Sequence, residues 1–98
     1  MTIYQETIQI LERDSRIKSL FQKISPGDRS ILELMLDREE SAGLTTEGSP
    51  NDQLWSCLAD YHWMAVLDAI PALPTDTRRY SLTEAGRRAI PVVLARLR

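Results

Sequence analysis

The sequence predicts a single, mainly helical domain with a two-stranded antiparallel hairpin set before its last helix. Three observations predict it. Apolar residues recur at helical spacing over the first quarter of the chain. The pattern Ser-Pro-x-Asp opens a helix twice, at Ser25 and Ser49. From Met64 to Leu82 the periodicity changes to alternation around a Pro-rich turn, and Thr83 then restarts a helix. The 98 residues suit one domain with a modest core. Residues 1–24 form an N-terminal helix, 26–90 the core of the domain and 91–98 the end of the last helix.

Ile3, Ile10, Ile17 and Ile24 fall seven apart, with Leu11, Leu20 and Phe21 beside them, which predicts one helix over about residues 3–23. Asp14 interrupts the complementary row and argues against a long coiled coil. The helix is expected to pack on the core, with homodimerisation through it as the second possibility. In the second helix Ser25 caps, Pro26 suits the first helical position and Asp28 complements the positive end. Ile31, Leu32, Met35 and Leu36 give its buried face, and Gly43 is its expected stop. Ser49-Pro50-Asn51-Asp52 opens the third helix, which extends to Tyr61 with Leu54, Leu58 and Trp55 inward. Residues 63–70 and 77–82 are expected to pair as a hairpin around Pro74-Thr75-Asp76-Thr77. Thr83 caps the final helix, where Pro91 predicts a kink or break. Val93, Leu94 and Leu97 face the core beyond it.

Charge is unevenly distributed. Residues 1–50 carry six basic and nine acidic side chains, residues 51–77 carry four Asp and no cation, and residues 78–98 carry six Arg against Glu84. The net charge of −2 gives no global attraction to nucleic acid or anionic membrane. Cys57 is the only cysteine, so neither an intrachain disulfide nor a Cys-rich zinc site is available. No apolar run approaches the roughly 20 residues of a membrane span. The first residues lack the basic flank and apolar stretch of a signal peptide, which predicts a cytoplasmic protein.

Helix, strand, turn, strand and helix, with Tyr80-x-Leu82-Thr83-Glu84-Ala85-Gly86-Arg87 at the last junction, resemble the winged helix-turn-helix of bacterial MarR- and PadR-type regulators. The matching residues are Trp55 and Leu58, Trp63-Met64 entering the wing, Arg78-Arg79-Tyr80 returning, and Leu82 to Arg87. The resemblance covers about residues 26–90. The resemblance implies a DNA-binding transcriptional regulator whose third helix lies in the major groove and whose wing arginines reach the backbone or minor groove. Carried over, Asn51, Gln53 and Ser56 are the candidates for base edges. Arg78 and Arg79 serve the wing, and Arg29 meets a phosphate. Two features depart from the pattern. Arg38 to Ser49 is loop-like where those regulators place a further helix, and the third helix has no cation but carries Asp52 and Asp60.

Those departures support a second reading: a winged helix turned to protein binding, an adaptor or small inhibitor docking its acidic third helix on a basic nucleic-acid-processing partner. Asp52, Asp60, Trp55 and Trp63 are its interface candidates, since interfaces favour exposed Trp. No catalytic constellation, cofactor motif or metal-spaced cluster is present, so no enzyme, cofactor or metal is expected. Cys57 and His62 stand five apart, about 140° around a helix, and do not share a face. The acidic cluster Asp37, Glu39 and Glu40 reads as solvated surface.

Overall fold

In the computed structural model, residues 2–38 and 42–97 are described. The elements are α1 (Ile3–Arg13), α2 (Ser15–Lys23), α3 (Pro26–Asp37), β1 (Ala42–Thr46), α4 (Pro50–Asp60), β2 (Met64–Leu67), β3 (Thr77–Leu82) and α5 (Glu84–Leu97). The expected helix over 3–23 is two helices. Asp14 ends α1, its N–H donating to the Ile10 carbonyl at 2.8 Å. Its carboxylate then accepts from the Arg16 N–H and caps α2. A side-chain acceptor that can replace a helical carbonyl turns the chain here. Tyr61 at the end of α4 donates to the same carboxylate at 2.5 Å, fixing the bend against the rest of the fold.

The Ser-Pro-x-Asp starts hold at both sites: Ser25 accepts from the Asp28 N–H and Ser49 from the Asp52 N–H, each at 3.1 Å. The expected stop at Gly43 is corrected. α3 ends at Asp37, and Gly43 lies inside β1, facing the core. A Cβ on Gly43 would stand 2.3 Å from Cη2 of Trp55 and 2.7 Å from Sδ of Met35, so the strand lies where only glycine fits. Of the expected buried face of α3, Leu32 and Met35 are enclosed and Ile31 lies at the surface. Of the acidic cluster, Asp37 is exposed, whereas Glu39 and Glu40 lie outside the described residues.

The sheet has three strands rather than two, in the order β1-β3-β2, all antiparallel. Met64 pairs with Leu82 and Leu67 with Arg79, as the hairpin requires. β1 joins on the other side of β3, with Leu44 opposite Arg79 and Thr46 opposite Thr77. Among the described residues, the chain between α3 and α4 holds this strand and no helix. β2 stops at Leu67, short of the expected residue 70, and residues 68–76 form an ordered loop. In that loop Leu73 N–H bonds the Ile70 carbonyl and Thr77 N–H the Pro74 carbonyl.

The helices cover one face of the sheet. Ile17, Leu32, Leu54, Trp55, Tyr80, Ile90 and Val93 have no exposed surface, and a fully buried aliphatic side chain contributes roughly 1.5–3 kcal/mol. Trp55 meets Tyr80 edge-on, with ring centroids 5.6 Å apart. Thr83 caps α5 as expected, accepting from the Gly86 N–H at 2.9 Å. Of the kink or break expected at Pro91, the break does not occur: α5 runs on to Leu97. Pro91 is exposed while Ala89, Ile90, Val93 and Leu94 are buried on either side, so packing holds the helix through the missing donor. None of the described helices is long and apolar enough to cross a membrane.

Just past the end of α4, His62 has a left-handed φ of 61°, while Trp63 N–H bonds back to the Leu58 carbonyl. That position favours glycine. His62→Gly is therefore expected to stabilise the domain by about 1 kcal/mol. The check is urea denaturation of the two proteins, and a less stable glycine variant would mean that the exposed imidazole contributes more than its backbone strain costs.

Candidate functional site

The third helix of the sequence reading is α4. Its N-terminal turn is built around Asp52, which is 5% exposed. One carboxylate oxygen accepts from Thr45 Oγ1 of β1 and from Tyr80 OH of β3, both at 2.8 Å. The other accepts from the Gly48 N–H at 3.0 Å and lies 3.8 Å from Arg78 Nε. Burial pushes the Asp52 pKa up. The Gly48 amide, the Tyr80 and Thr45 hydroxyls and the Arg78 charge together outweigh burial and hold it below the ordinary value. Tyr80, buried and facing that carboxylate, is pushed up to about 12. Asp52 thus ties β1, α4 and β3 together, a role distinct from the first-turn acid that helix position alone predicts.

This changes the standing of the predicted residues. Asp52, Trp55 and Trp63 are buried, so as protein-interface candidates they are corrected: none presents a surface to a partner. Trp55 and Trp63 fill the core because a small domain places its largest apolar side chains there. Asn51, a candidate base reader, is 5% exposed and its Oδ1 is enclosed, so it too is corrected. Gln53 and Ser56 are exposed as expected, although the Gln53 amide donates to the Gly48 carbonyl at 2.9 Å. Asp60 is exposed at the far end of the same helix.

The cations are engaged. Arg78 bonds Glu47 at 2.8 Å. Arg79 donates to the Asp68 carbonyl at 2.7 Å from the opposite face of β3. Arg29 lies over the Phe21 ring, 4.8 Å from its centroid, and its Nε is buried. Sequence reading missed Arg16, which α2 carries to α4: it bonds Asp14 at 2.6 Å and stands 3.8 Å from Asp60. The Arg16 guanidinium holds the Asp14 carboxyl well below the usual carboxylate range. The only signal for Arg16 was its place two residues after a helix-breaking Asp.

Between these groups runs a groove of about 480 Å³ along the outer side of α4, lined by Arg16, Glu47, Gln53, Ser56, Asp60 and Arg78. Around it Asp14, Glu47, Asp52 and Asp60 set four carboxylates against the two guanidiniums of Arg16 and Arg78. Of these four, Glu47 and Asp60 are exposed while Asp14 and Asp52 are largely enclosed, and both arginines already face carboxylates. Cys57 is buried at its base, and burial pushes the thiol pKa up, which disfavours the reactive thiolate. Among the described residues, no three of His, Cys, Asp and Glu stand together as metal ligands.

The structure therefore defines a small, mainly helical domain with a three-stranded antiparallel sheet and an acidic groove along one helix. Compared with protein-family models, curated proteins and solved structures, the chain finds no match in any of the three.

Proposed function

We propose that this is a winged-helix-type protein-interaction module, docking the exposed side of α4 and its acidic surround on a basic protein. One observation carries the reading. Four carboxylates, Glu47 and Asp60 exposed with Asp14 and Asp52 enclosed behind them, surround the two guanidiniums of the groove along α4, and each arginine is already paired with acids. Duplex DNA binding draws much of its strength from cations that replace the counterions of phosphate. Here a phosphate would compete with Glu47 for Arg78 and with Asp14 for Arg16. A cationic protein surface instead meets Glu47 and Asp60, which are exposed and whose partners Arg78 and Arg16 are each shared with a second carboxylate. The strand between α3 and α4 supports the same reading, because a helix-turn-helix places a second helix there.

The DNA-regulator reading stays as the alternative because Gln53 and Ser56 are exposed on consecutive turns of α4, between Arg16 and Arg78. Asp60→Asn separates the two. In the protein-docking reading the substitution slows association with the basic partner several-fold and flattens its salt dependence. Random-sequence duplex DNA is expected to show no binding at low salt, with either protein. Clear duplex binding that weakens with salt and strengthens in Asp60→Asn would overturn the proposal in favour of the regulator.

A further inference from the structure

The loop joining β2 to β3 is the least expected surface of the molecule. On the segment 66–74, Val66 is 61% and Ile70 41% exposed. Pro71 and Pro74 are also exposed, and Leu73 is half-buried. Exposed apolar residues that follow closely along one segment mark an interaction site more often than scattered single residues do.

The loop is also held in shape. Arg79 grips the Asp68 carbonyl at 2.7 Å, Leu73 N–H closes a turn on the Ile70 carbonyl at 3.0 Å, and Glu47 N–H holds the Asp76 carbonyl at 2.7 Å. Its two prolines further limit the conformations open to it. Such a loop loses little freedom on binding, so its apolar surface is available for affinity.

Its charge selects the partner. Asp68 and Asp76 are exposed within the loop, Glu47 adjoins Asp76, and residues 51–77 contain no Lys or Arg. Phosphate backbones and anionic lipid surfaces both attract cations, which this loop does not offer. We infer that the end of β2 and the β2–β3 loop together make a preformed apolar anchor, carried by Val66 and Ile70, for an apolar pocket rimmed by Lys or Arg on a protein partner. Asp68 and Asp76 face that rim. This rests on the docking role proposed for α4 and makes the loop a second contact on the same basic partner.

The test places a photo-crosslinking benzophenone residue in the full chain, in its native cells, at Ile70, at Ser56 on α4 and at the exposed Leu34 on α3. The expected result is one and the same protein captured from Ile70 and Ser56 but not from Leu34. With that protein purified, the double variant Val66→Ser/Ile70→Ser is expected to bind ten-fold or more weakly at unchanged melting temperature. Leu34→Ser binds like the parent, and Asp68→Asn/Asp76→Asn shows a shallower salt dependence. Capture from Ser56 but not from Ile70, or unchanged affinity of the double serine variant, overturns the anchor and leaves the α4 docking intact. Capture from neither position overturns both. Co-sedimentation with phosphatidylcholine vesicles that is lost in the double serine variant would assign the loop to lipid instead, and none is expected.

Discussion

Gly86→Ala is expected to be the most damaging single-methyl change in the protein. Gly86 lies in the first turn of α5, where that helix meets the end of the α4–β2 connection. A Cβ at this position would stand 1.8 Å from the Trp63 carbonyl oxygen and 2.7 Å from its carbon. The obstacle is backbone, and it is held: the same carbonyl accepts from the Thr83 N–H at 3.2 Å. Neither side can rotate away, so α5 must lift from the sheet or Trp63 must leave the core. We expect a loss of at least about 3 kcal/mol, at the upper end of overpacking effects. Gly27→Ala is the control, since its nearest neighbour is Ser25 Oγ at 3.7 Å, and alanine in a first helical turn is neutral or slightly stabilising. Thermal and urea melts of both variants check the contrast. A Gly86→Ala protein that melts with the parent would mean that α5 is not seated on Trp63 as described.

Removing the Asp52 carboxylate is the second large effect expected. Asp52→Ala leaves the Thr45 and Tyr80 hydroxyls and the Gly48 amide without their acceptor at a buried site. It also takes away the carboxylate charge that faces Arg78 at 3.8 Å. Each buried polar group left without its partner typically costs roughly 1–3 kcal/mol. The same network makes stability depend on pH in both directions. Asp52 and Asp14 are held below their ordinary values in the folded state, so their contribution is complete above about pH 4. It is lost as pH falls through the folded values. Tyr80 is raised from 10.0 to about 12, so its contribution is complete below pH 10 and is lost as pH rises from there toward 12. By linkage that alkaline loss is about 3 kcal/mol. Tyr61, raised by its hydrogen bond to Asp14, acts in the same direction. Urea denaturation across pH reads both limbs. Tyr80→Phe should lose most of the alkaline limb, and an unchanged alkaline limb in that variant would remove Tyr80 from the account.

What could be read from the sequence alone was what depends on neighbours a few residues away. Ser25-Pro26 and Ser49-Pro50 mark their helix starts because a cap bonds an amide three residues on, and Thr83 does the same for α5. The β2–β3 hairpin was legible because its strands are joined directly through a Pro-rich turn. Asp14 lies on the boundary of legibility: it interrupts the stripe of the first helix in the sequence, but that it also caps a second helix follows from its bond to the Arg16 N–H. β1 was not legible, since Gly43 and Gly48 suggest a loop and the strand exists only because β3 pairs with it from far along the chain. The buried state of Asp52 is of the same kind, with partners 7 and 28 residues away. So is the engagement of the cations: Arg78 finds Glu47 across 31 residues, which no local pattern encodes.

Composition determined that the middle of this chain is acidic and free of cations. Tertiary packing decided which of those residues any partner can meet, because core filling takes Trp55, Trp63, Asn51 and Asp52 inward and leaves Gln53, Ser56, Asp60 and the apolar loop outside. Local bonds choose the elements, whereas burial and charge pairing, which require the whole fold, choose the surface.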